Sequence, residues 1–228
     1  QMCIRDRVSR LLCGLLPLCL LFSTVPLADL PAQEALERGK LRLFEAADSF
    51  FDQSLSASEL RSLLEAAYRD FASLGDPCRR AYWLARTEYL RGFVERSDKM
   101  EKEAVRRFQA GYELAERAAC SASADLLRLQ ADLIAQLIPA RGALFAMSHG
   151  PRIRALAEKA LALEPENVKA RLTLALYYQN APAIAGGDGA LALRLLHELE
   201  RDSPSEREDR FAVLTWLGMA YRLSLIHI

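Results

Sequence analysis

The chain has 228 residues, and its 30 basic and 30 acidic side chains give a formal net charge of zero. Apolar residues make up 51% and charged ones 26%, a globular composition that excludes extended disorder. No basic block stands out, so the electrostatic footprint of a nucleic-acid-binding protein is missing.

Residues Gln1 to Arg7 (QMCIRDR) and Leu223 to Ile228 (LSLIHI) resemble translated sequencing-adapter read-through and are set aside from fold reasoning. Arg5, Arg7 and Arg10 then precede an apolar run from Leu11 to Leu27, broken by Pro17. Ala28 or Ala32 closes a cleavage region, and Asp29 follows without a stop-transfer pattern. This reads as a secretory signal, with an uncleaved anchor as the alternative. Leu18 before Cys19 argues against a lipid-anchored cysteine. The expected organisation is read-through and signal over 1–32, one helical domain over 33–222, and read-through again over 223–228.

From about residue 34 the apolar pattern has helical period. The spacing predicts helices over 34–52, 58–74, 79–96, 100–119, 122–138, 151–164, 167–180, 188–201 and 206–222. The second is the clearest: Leu60, Leu63, Leu64, Ala67, Phe71 and Leu74 form one stripe. Ser56 with Glu59 makes a capping box at its start, and Gly75-Asp76-Pro77 stops it. No segment alternates with period two, so no sheet is expected. The helices pair as successive hairpins, which leaves 206–222 without a partner. Between Pro139 and Gly150, Gly142 and the Ser148-His149-Gly150-Pro151 run interrupt helix, and Leu144, Phe145 and Met147 between them suggest a short packed turn. In the last helix, Leu214, Leu217 and Tyr221 are expected to pack back, with Phe211, Trp216 or Leu223 facing the place of a missing partner.

The most specific pattern lies between Pro151 and Tyr221. Ala157-x2-Ala160-Leu161-x3-Pro165 closes one hairpin, and Arg171-x2-Leu174-Ala175-x2-Tyr178 opens the next. Ala192-x3-Leu196-x2-Leu199 and Pro204 complete it, and Leu214-x2-Leu217-Gly218-x2-Tyr221 begins another. Upstream, Ala104-x3-Phe108-x2-Gly111 matches the second-helix signature. These residues resemble the tetratricopeptide repeat, in which large, small and aromatic residues at fixed offsets lock two antiparallel helices. The resemblance implies an all-α, right-handed α-solenoid of about four degenerate hairpins plus the unpaired C-terminal helix. Pro165 to Pro204 exceeds the family's period of about 34, and the extra residues fall in the turn Asn180 to Gly189. The Tyr177-Tyr178, Ala181-Pro182 and Gly186-Gly187-Asp188 run is also similar to the T-component of TRAP transporters, exported helical-repeat proteins that associate with a periplasmic substrate-binding protein.

Chemistry-bearing motifs are sparse. The Gly186-Gly187-Asp188 cluster lacks the spacing of either nucleotide fingerprint and reads as a turn whose aspartate caps the next helix. His149, His197 and His227 are scattered, and no Gly-x-Ser-x-Gly elbow or Cys-x2-Cys pair occurs. No catalytic residue, metal ligand or cofactor is therefore assigned. The alternating charges along 95–117, chiefly Glu95 to Arg107, read as a solvated helix face. What the repeat resemblance implies is a protein or peptide partner on the concave face, carried by Lys169, Leu172, Leu176, Gln179 and Asn180. Leucines stand where a carboxylate-binding subclass has polar groups, which favours an apolar or mixed groove. The other reading of Leu172 and Leu176 is burial under neighbouring helices.

Two cysteines, Cys78 and Cys120, lie outside the signal and read-through segments. They fall at the same end of one antiparallel hairpin, so a disulfide forms there if the α-carbons approach within about 7 Å. Export across a bacterial inner membrane into the periplasm permits it.

Overall fold

A computed structural model describes residues 30–118, 120, 123–202 and 207–226. The segment assigned to read-through and signal up to Ala28, together with Pro204 and His227, lies outside them. Among the described residues the chain is all-helical, without a strand. The α-helices are α1 (Leu30–Asp52), α2 (Ala57–Ala72), α3 (Pro77–Ser97), α4 (Glu101–Arg117), α5 (Ala124–Arg141), α6 (Ala143–Leu163), α7 (Val168–Asn180), α8 (Gly189–Arg201) and α9 (Arg207–Ile226). A short 3-10 turn covers Ala183–Ala185.

Local chemistry sets these boundaries. Ser56 and Glu59 form a reciprocal capping box at the start of α2. Asp76 accepts from the amides of Cys78 and Arg79, and Pro77 occupies the first turn of α3, where its missing N–H costs nothing. Ser123, Asn167 and Asp188 cap α5, α7 and α8 in the same way.

Packing is densest inside the pairs α1/α2, α3/α4, α5/α6 and α7/α8, and each pair also packs on the next. The odd-numbered helices touch one another in series, from α1 through α3, α5 and α7 to α9, so they form one layer. A central core gathers Phe108, Leu129, Leu133, Ile134, Leu137 and Ile153. Flanking cores lie around Leu43, Leu64 and Phe71 toward α1, and around Leu196, Leu199 and Val213 toward α9.

Two close approaches fix the first two pairs. A Cβ on Gly39 would lie 2.5 Å from the Phe71 ring, and one on Gly92 would lie 2.4 Å from the Phe108 ring. Each glycine therefore admits a phenylalanine from the antiparallel partner. The second pair is also stapled covalently, since Cys78 and Cys120 are disulfide-bonded with α-carbons 5.7 Å apart. Closing that loop contributes about 4 kcal/mol in the chain-entropy picture of disulfides.

Three expectations need correction. The interruption at 139–150 is not a packed turn. α5 runs through Pro139 to Arg141, Gly142 (φ 79) reverses the chain, and α6 starts at once and continues through Pro151. Leu144 and Met147 are 83% and 77% exposed there, and only Phe145 leans on the core. Second, the Glu95 to Arg107 charges are not all solvated. Glu95 is 4% exposed and held by Arg61 of α2 at 2.6 Å. Arg107 reaches the buried Glu88 at 3.5 Å, and Arg91 joins Glu88 (2.6 Å) to Glu65 (2.5 Å). The α2–α3–α4 contact is thus partly ionic. Third, α9 buries Val213 and Leu217 and packs Trp216, while Leu214 and Tyr221 are 49% and 45% exposed. Both sides of α9 are apolar, and the neighbouring α7 and α8 select one of them.

Candidate functional site

The layer of odd-numbered helices carries polar and aromatic contacts between successive helices, including Arg96 of α3 donating to Gln136 of α5 at 2.7 Å. On α3, Arg86 donates to the Tyr82 hydroxyl (3.3 Å) and lies over the rings of Phe44 from α1 (5.2 Å) and Trp83 (5.5 Å). On α5, Arg128 donates to Asp132 (3.0 Å), whose other oxygen accepts from Thr173 of α7 (2.7 Å). Lys169 of α7 pairs with Asp209 of α9 at 2.8 Å. Asn167, just before α7, reaches Asp125 of α5 (3.2 Å).

Electrostatics follow from burial. Arg128 is 6% exposed, and burial works against its charge. The Tyr82 phenol, Asp132 and Asp125 more than offset that penalty, so its pKa lies above the ordinary guanidinium value. Burial raises the Asp132 carboxyl above its usual range despite Arg128 and Thr173. These groups hold the layer together.

The open part of the layer is aromatic. Phe44 is 40% exposed, and Phe51 and Phe211 are 54% exposed. Phe51, near the end of α1, meets Phe211, in the second turn of α9, with ring centroids 5.4 Å apart. The first and last helices of the layer therefore touch.

The five residues expected to bind a partner separate into different environments. Leu172 is 9% exposed and sits in the core with Ala175, Leu196, Val213 and Leu217. Leu176 packs on the same cluster. Leu172 is core and Leu176 half-buried against it because α8 and α9 cover that stripe of α7, so no open groove runs through them. Lys169 is turned to Asp209, and Asn180, exposed, donates to the Leu176 carbonyl (2.8 Å). Both amide atoms of Gln179 are buried without a hydrogen-bond partner among the described residues. Sequence reading missed Phe44 and Phe51; Phe211, expected to face the place of a missing partner, is exposed and meets Phe51. The usable signal was the seven-residue interval from Phe44 to Phe51, which puts both on one side of α1, off the stripe of Leu36, Leu43 and Ala46.

The glycine-rich turn is a structural cap. Asp188 accepts from the Leu191 amide (2.9 Å), Gly186 takes φ 85, and Tyr177 donates to the Ala185 carbonyl. A Cβ on Gly187 would collide with the Ala181 carbonyl at 1.8 Å. His197 hydrogen-bonds Tyr221 at 2.6 Å, and His149 stacks on Phe145 at 3.9 Å. Among the described residues no group of three or more His, Cys, Asp or Glu is placed to hold a metal, and no helix is long and apolar enough to cross a membrane. A shallow crevice of about 470 Å³ between α1 and α2 is lined by Glu45, Leu55, Ser58, Glu59, Ser62 and Leu63, with no histidine or cysteine. No family model matches the chain, and no curated protein matches it.

Proposed function

We propose that this chain is an exported, non-enzymatic scaffold of tetratricopeptide-like hairpins. It holds a protein or peptide partner in the periplasm, along the concave side formed by α1, α3, α5, α7 and α9. The continuous series of odd-numbered helices carries the reading, because one elongated ligand can then touch successive hairpins. The small-to-large fits of Gly39 with Phe71 and Gly92 with Phe108 support the repeat assignment. So does Ala175, fully buried in the cluster that holds Leu196 and Leu199 of α8. The contact surface is Phe44, Phe51 and Phe211, with the exposed Asn180 as its polar element.

The test is a photo-crosslinking amino acid at Phe51, compared with one at the exposed Lys159 of α6, in the exporting host. A discrete adduct from position 51 alone supports the scaffold. Equal labelling from both positions, or none at 51, overturns it. The second reading, an accessory of a TRAP-type transporter, rests on the Tyr177 to Asp188 run, and the same experiment decides it: the adduct is then a substrate-binding protein.

A further inference from the structure

We infer that the tip of the α5–α6 hairpin docks on an anionic lipid surface, independently of any partner on the odd-helix layer. Between Leu137 and Ile153 no residue is fully buried, and of the large apolar side chains there Ile138 and Phe145 lean on the central core while the rest project beyond it. The tip is apolar: Pro139, Ala140, Leu144 and Met147 face solvent, the last two at 83% and 77% exposure. The up-and-down order of helices puts the next hairpin tip at the same end, and there Ile184 is 99% exposed.

Charge supports lipid as the occupant. From Leu133 to Ala157 the sequence contains no acidic residue, although acids and bases balance over the whole chain. The ionised side chains of that stretch are Arg141, Arg152 and Arg154. Arg141 lies on the tip itself, 6.0 Å from the Phe145 ring, with one nitrogen donating to Gln109. Arg152 and Arg154, paired with Glu116 and Glu158, flank it further down α6. An apolar tip that carries the Arg141 guanidinium, with no acid paired to it among the described residues, matches the boundary between acyl chains and anionic headgroups. A second protein fits less well, since two or three side chains on a convex tip fall far short of the roughly 800 Å² per partner in specific interfaces.

The experiment must read the tip itself, because the apolar run at 11–27 partitions into lipid by its own hydrophobicity. A Leu144→Trp variant of the full chain is mixed with phosphatidylglycerol-rich or pure phosphatidylcholine vesicles carrying brominated acyl chains. The added tryptophan's emission, taken as the difference from the parent chain, is expected to shift to the blue and be quenched in the anionic vesicles. Adding Arg141→Gln weakens that response about fivefold, the share of one surface arginine. In the parent chain, Leu144→Ser with Met147→Ser leaves helicity intact. No shift or quenching in either vesicle overturns the inference. So does self-association by sedimentation that the double serine variant abolishes, because the tip is then a protein contact.

Discussion

Replacing Gly92 with alanine tests the packing logic most directly. The new Cβ would stand 2.4, 2.5 and 2.7 Å from three atoms of the Phe108 ring. Ordinary contact begins near 3.4 Å, so the ring must retreat by about 1 Å. It has nowhere to go. Phe108 is fully buried, with Phe93 and Tyr89 at 5.5 and 6.0 Å and the Arg96 guanidinium at 4.8 Å. Overpacking of this kind costs about 1–3 kcal/mol or more. Alanine returns at most about 1 kcal/mol through its better helix propensity. Because the ring cannot retreat, the upper end of that range applies, about 2–3 kcal/mol, and the net expectation is a loss of about 1–2 kcal/mol. Gly218 provides the matched control: it lies inside α9, yet an added Cβ meets nothing within 4 Å. Only propensity acts there, so Gly218→Ala should stabilise by about 0.5–1 kcal/mol. Urea unfolding followed by helix signal measures both, with the slope checked for constancy. A neutral Gly92→Ala, or a Gly218→Ala that loses stability, refutes the reasoning. The second result would mean that the Leu214–Gly218–Tyr221 side of α9 is already covered.

Two further outcomes follow from the ionic and phenolic contacts. Arg91→Met leaves Glu65 without its partner and Glu88, 3% exposed, with only the 3.5 Å contact to Arg107; it should cost about 3–5 kcal/mol in the same urea assay, and a loss below about 1 kcal/mol would show that water compensates the pair. Burial and the hydrogen bond to Glu116 push the Tyr112 hydroxyl up to about 12. Its folded value exceeds the unfolded one, so stability is intact below pH 10 and is lost as pH rises toward 12. A Tyr112→Phe variant should lose less over that window, and identical alkaline profiles for both proteins would contradict the assignment.

The sequence by itself determined the helices. Their existence, order and most of their ends were legible because caps and breakers act locally: Ser56 with Glu59, Asp76 before Pro77, and Asn167 and Asp188 each need only their own next turn. The stripe on α2 was legible for the same reason, since one apolar side leaves one choice of face. Which face is buried becomes a tertiary question wherever a helix has two candidates. In α9 both Val213/Leu217 and Leu214/Tyr221 have helical spacing, and contact with α7 and α8 decided for the first pair. Leu172 and Leu176 had open and buried readings of equal standing until α9 was seen to cover them. Pro139 and Pro151 looked like breaks, but Gly142 alone reverses the chain and both prolines lie within helix. Glu88, Arg91 and Glu95 have the composition of a solvated face. They are buried because residues of α2 and α4, remote in sequence, supply Glu65, Arg61 and Arg107 at ion-pair distance. Such pairings depend on where a distant helix comes to rest, which no local spacing encodes.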